Sequence, residues 1–202
     1  MTPVRLTPAT LVALISMTTP TWAHLGMGTV DTFGHGFWHP LSGLDHLLAM
    51  VAIGIYSASL GGRAVWLVPS AFVATMMLGG LLGYLGFTLP LVETGIGLSV
   101  VVVGLGIAFS VRLPAVAAMA LVGLFALFHG HAHGTEGMGL GLALLPYAAG
   151  FVLATASLHM AGVTLGFGLD LMGTRPSNVL RRLAGAAGAL AGVSILAGWL
   201  AT

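Results

Sequence analysis

Apolar residues run along this chain in long blocks, separated by short joints rich in Gly, Pro and polar residues. Six blocks have roughly the 20-residue length that a helix needs to cross a bilayer: 38–60, 65–87, 91–111, 114–134, 142–168 and 180–201. The joints at 61–63, 88–90, 112–114, 134–141 and 173–178 are built from turn formers. Ahead of the first block, residues 1–23 have the form of a secretory signal, with Arg5, an apolar stretch over 9–17 and the small-residue cleavage site Thr21-Trp22-Ala23. The pattern predicts an all-α integral membrane protein: about six transmembrane helices after a cleaved signal peptide. Residues 24–202 form a single transmembrane domain.

Composition agrees with this reading and narrows the chemistry. The chain is 57% hydrophobic and 5% charged, where soluble domains carry about 25% charged residues. Its 31 glycines suit close helix contacts in lipid, and Gly79/Gly83 and Gly188/Gly192 are GxxxG pairs expected to form packing seams. The absence of Cys excludes disulfides and thiolate sites. The absence of Lys excludes a Walker A loop. A net charge of +1 without a basic patch gives nucleic acid nothing to bind.

The arginines give an orientation. A cleaved signal leaves the new N-terminus outside, so the joints near 61–64, 112–114 and 170–182 fall inside. They hold Arg63, Arg112, Arg175, Arg181 and Arg182, every arginine beyond the signal, as the positive-inside rule requires. An even number of spans returns the C-terminus to the outer side.

What polarity remains is concentrated in eight histidines. His39-Pro40-Leu41-Ser42-Gly43-Leu44-Asp45-His46 opens the first block, and ionisable groups at membrane depth mark function. On one continuous helix His39 and His46 share a face, with Pro40 in the first turn and His39 at the helix mouth. Asp45 either ligates beside His46 or orients an imidazole from behind. The fourth block ends in Phe128-His129-Gly130-His131-Ala132-His133-Gly134-Thr135-Glu136. His129 and His133 stand i, i+4, a spacing by which two imidazoles chelate one ion; Glu136 joins that face if the helix persists, and His131 points away. Both motifs fall at the outer side.

Weaker candidates surround them. Cleavage after Ala23 makes His24 an N-terminal chelator. Asp31 and His35 belong to a solvated approach segment that could funnel metal. Glu93 is either a helix N-terminal charge or a ligand at a pore mouth. His159 lies mid-block in the fifth span, as a hydrogen-bonding structural residue or a waypoint for an ion. Asp170 is interfacial, and the scattered methionines read as core filler.

Imidazole with carboxylate suits Ni²⁺, Co²⁺, Zn²⁺, Cu²⁺ or Fe²⁺, whereas Mg²⁺ and Ca²⁺ prefer oxygen shells. Three classes of function use such a set: a metal permease, a membrane metalloenzyme with Glu136 or Asp45 as base, and a b-type cytochrome with His46 and His133 or His159 on haem.

The segments His39-Pro40-x-x-Gly43-x-Asp45-His46-x-x-x-Met50 and Phe128-His129-Gly130-x-Ala132-His133-Gly134-x-Glu136 resemble the paired signatures of the HupE/UreJ family of nickel/cobalt permeases. The resemblance covers the whole chain. It implies a multi-pass bacterial inner-membrane protein, not an enzyme; in the orientation given by the arginines, both ends of the mature chain are expected to be periplasmic. It also implies uptake of Ni²⁺ or Co²⁺ as substrate, with no permanent cofactor, for hydrogenase, urease or cobalamin synthesis. Its partners would be the ion, the bilayer, cytoplasmic metallochaperones and a second copy of the chain. The functional residues it implies are His39, Asp45, His46 and Met50 in the first span and His129, His133 and Glu136 in the fourth.

Overall fold

A computed structural model describes residues 32–200, and among these residues there is no strand. Residues 1–23, His24 and Asp31 lie outside the described residues. Seven α-helices follow in order: α1 (Thr32–Ser42), α2 (Leu44–Leu60), α3 (Ala64–Tyr84), α4 (Val92–Ala108), α5 (Ala115–Glu136), α6 (Leu144–Asp170, entered through the 3-10 turn Gly141–Ala143) and α7 (Thr174–Leu200). Helices α3, α5, α6 and α7 are long and apolar enough to cross a membrane, α1 and α2 form a pair bent by 78°, and α4 is an apolar helix of 17 residues. The six expected spans therefore meet four long helices, one broken pair and one short helix.

The break corrects the expected first span. Pro40 sits inside α1 rather than in an opening turn, and α1 starts at Thr32, well before block 38–60. Proline removes the bond its own N–H would make to the preceding turn. Ser42 Oγ then donates to His39 O at 2.7 Å, occupying a carbonyl that a continuing helix would use. Gly43 turns extended (φ −89°, ψ 121°), and its carbonyl accepts Leu47 N–H at 3.0 Å as the first bond of α2. His39 and His46 thus sit on two arms of a bend, not on one face of one helix. Helix α7 starts six residues earlier than predicted because the turn ends at Gly173 (φ +89°), leaving Pro176 in the first helical turn.

Glycine seams hold the helices in pairs. A Cβ on Gly79, Gly83, Gly130 or Gly134 would collide with the facing backbone carbonyl between α3 and α5, as would one on Gly54 or Gly162 between α2 and α6, or on Gly36 or Gly150 between α1 and α6. The expected seam at Gly79/Gly83 is present. The one at Gly188/Gly192 is shifted: Gly188 faces open space, and α7 meets α4 through Gly185, Ala189 and Gly192 instead. Within the bundle Met50, Ile53, Val68, Phe72, Met76, Val100 and Val122 form a continuous apolar core.

Helix direction separates two ends. The bend at Gly43, the start of α4 and the end of α5 lie at one end. At the other, Arg182 Nε donates to Ala108 O at 2.9 Å, and Arg181 pairs with Asp170 at 2.7 Å.

Candidate metal centre

Three helices bring the two histidine motifs together. The α5 ladder alternates by function: Gly130 and Gly134 face α3, while His129 and His133 turn toward α2. The bend at Gly43 aims α2 so that His46, in its first turn, meets both. His46 Nε2 lies 2.9 Å from His133 Nε2 and 3.2 Å from His129 Nδ1.

The outward-facing nitrogens decide what these three atoms are. A neutral imidazole carries one N–H and one bare lone pair, and the group behind the ring selects the tautomer. His133 Nδ1 donates to Glu136 Oε2 at 2.9 Å. His46 Nδ1 faces Asp45 Oδ2 at 3.6 Å. Ser99 Oγ already donates to Ile96 O at 2.6 Å, so it accepts from His129 Nε2 at 2.9 Å. His129 and His133 thus hold their protons on the outside and present inner lone pairs to His46 Nε2, which joins them as a third ligand atom in the tautomer that places its own proton on Nδ1 beside Asp45. In that tautomer the three lone pairs converge on a position suited to a cation. Two nitrogens bound to one first-row ion at ~2.0–2.1 Å stand about 2.9–3.4 Å apart, the range observed here.

A second, shallower set overlaps the first. His39, His133 and Glu136 place ligand atoms within 4.8 Å of one another, with His39 Nε2 3.3 Å from Glu136 Oε2. Glu136 is 53% exposed and His129 0%, so the donors form a graded file from the surface inward. Phe151 walls it, its ring centroid 4.6 Å from that of His133 and 5.9 Å from that of His46.

The family model for HupE / UreJ protein matches residues 12–195. Protein HupE of Rhizobium leguminosarum bv. viciae is 46% identical over 189 residues, covering 94% of this chain and 96% of that protein. The chain belongs to the HupE/UreJ family. No solved structure matches it.

With the HupE/UreJ signatures located, the remaining candidates sort by position. Asp45 stands behind His46 rather than across from it, and Gly43 makes room, since a Cβ there would lie 2.9 Å from Asp45 Oδ1. Met50, one turn deeper than His46, is completely buried in the apolar core. His131 points away as expected and donates Nε2–H to Phe87 O at 2.6 Å, pinning the segment after α3. Glu93 lies exposed in the first turn of α4, close enough to Asp45 and Glu136 to feel both charges. His35 is exposed on α1, on a helix rather than an approach segment. His159 is not in the cluster: the Phe72 ring stands between, 5.7 Å from His129 and 5.1 Å from His159 by centroid.

Sequence reasoning missed Ser99. The only signal for it was a hydroxyl amid the apolar run of 94–108, and its partner lies 30 positions away.

Proposed function

We propose that this HupE/UreJ protein is a permease for a divalent transition-metal ion, nickel or cobalt, moving it from the outer face of the inner membrane toward the cytoplasm. The observation that carries the reading is the convergence of His46 Nε2, His133 Nε2 and His129 Nδ1, each ring with a partner behind it. Glu136 and His39 at the exposed end attract and first ligate the ion, and His133, shared between the shallow and deep sets, passes it inward. The deep set is all nitrogen, which favours Ni²⁺ and Co²⁺ over Mg²⁺ and Ca²⁺. A file of overlapping partial sites releases as readily as it binds, which conduction requires.

Both ends of the mature chain outside, metal capture by His24 once the signal is removed, and delivery to cytoplasmic metallochaperones for hydrogenase or urease assembly complete the reading. The arginines at the end opposite the histidines support this orientation under the positive-inside rule. A haem between His46 and His133 finds no support, because nitrogens 2.9 Å apart admit no porphyrin.

The test is accumulation of radiolabelled nickel and cobalt at trace concentration by cells carrying wild-type protein or His46→Ala. Uptake above background that disappears in an equally expressed mutant is expected. Background uptake by wild type for both metals would sink the proposal.

A further inference from the structure

Among the described residues, His159 is the buried side chain with both ring nitrogens unpartnered. It is 1% exposed. A neutral imidazole carries both a donor and an acceptor, and leaving a buried polar group unpaired is destabilising. A side chain with no structural bond to make is poorly explained as a structural histidine.

Its neighbourhood is unusual in a second, independent way. Thr155 lies one turn before His159 on the same face of α6 and is completely buried. Other helical hydroxyls in this bundle bond back to a carbonyl three or four residues earlier, as Ser57, Ser59, Thr75, Ser99 and Thr164 do. Thr155 does not; its Oγ1 points across to Met76 Sδ at 3.9 Å, a weak acceptor. Nitrogen, oxygen and sulfur donors, all buried and all underused, therefore meet in one layer between α3 and α6.

The layer has a place in the path. Phe72 packs edge-on to His159 and against His129, so a single ring divides it from the deepest ligand of the cluster. We propose that His159, Thr155 and Met76 form a second, inner stop for the transported divalent ion, reached past the Phe72 ring. This rests on the reading of the histidine cluster as the ion's entrance and extends it. The inner set is uncharged, so it holds the ion more weakly than the outer set with its two carboxylates, and ions move on from it. Imidazole with thioether also prefers borderline transition metals to hard cations.

The experiment separates capture from passage. Wild type, His159→Ala, His159→Gln and Met76→Leu are purified, their nickel affinity is measured at equilibrium, and nickel flux is followed after reconstitution into liposomes. All three variants should keep wild-type affinity at the outer cluster. Both His159 variants should lose at least tenfold in flux, and Met76→Leu, which conserves volume, should lose severalfold. Glutamine retains a donor and an acceptor but ligates nickel poorly. If His159→Gln restores flux that His159→Ala loses, the role is hydrogen bonding or packing and the proposal fails. It fails equally if His159→Gln and Met76→Leu transport at wild-type rates, with the outer reading left standing. A wild type that neither binds nor passes nickel overturns both.

Discussion

Ser99→Ala isolates the logic of the centre, because it touches no ligand atom. In the wild type Ser99 Oγ is the acceptor for His129 Nε2–H at 2.9 Å, and both groups are completely buried. Alanine leaves that N–H with no partner in a site that water does not reach. The metal-free protein escapes by moving the proton to Nδ1, which then donates to His46 Nε2, 3.2 Å away. The metal-bound protein has no such escape, since Nδ1 must stay bare to ligate. The whole cost of a buried unpaired donor, about 1–3 kcal/mol, therefore falls on binding. That corresponds to roughly 5- to 150-fold in affinity and agrees with the ~10- to 100-fold losses seen when groups behind metal-ligating histidines are removed. Calorimetric or competition titration of purified protein with nickel measures it. Ser99→Thr, which restores the hydroxyl, should recover most of the affinity. Wild-type affinity in a folded Ser99→Ala protein would refute the tautomer assignment on which the three-lone-pair geometry depends.

Other outcomes follow from the same arrangement. His46 contacts both α5 histidines through one nitrogen, so His46→Ala should reduce metal accumulation to background while membrane expression, checked by immunoblot, stays normal. Asp45→Asn keeps the shape but not the charge behind His46 and should weaken nickel binding about tenfold, read by the same titration. Protons compete with metal for the ring nitrogens, so nickel binding should weaken as pH falls; a pH series of nickel titrations checks the direction. Gly134→Ala drives a methyl into Gly80 O, and overpacking of this kind costs about 1–3 kcal/mol. A lowered thermal midpoint in detergent is the expected readout.

Much of this centre was legible because its chemistry rides on simple periodicity. The i, i+4 spacing of His129 and His133 needs only that α5 continue to Glu136, and it does. The outward turn of His131 follows from the same period. The break at Gly43 was not legible, since hydropathy runs unbroken through it and Pro40 is better suited to a first helical turn than to the late position it occupies. What decides is Ser42 capping His39 O, a local bond that competes with helix continuation. Ser99 was hidden for a different reason: its meaning arises where α4 crosses α5, and no local pattern encodes that crossing. Met50 shows the converse, a residue of the family signature whose side chain lies wholly in the apolar core.

The glycine seams have a mechanical consequence. Gly79, Gly83, Gly130 and Gly134 mesh α3 with α5 backbone to backbone, and Gly54 with Gly162 mesh α2 with α6. Each pair is meshed like a toothed rail, so neither helix can slide along its partner without a backbone collision. His129 and His133 ride on one rail and His46 on the other. A cation held among their nitrogens, as proposed above, would tie the two rails together.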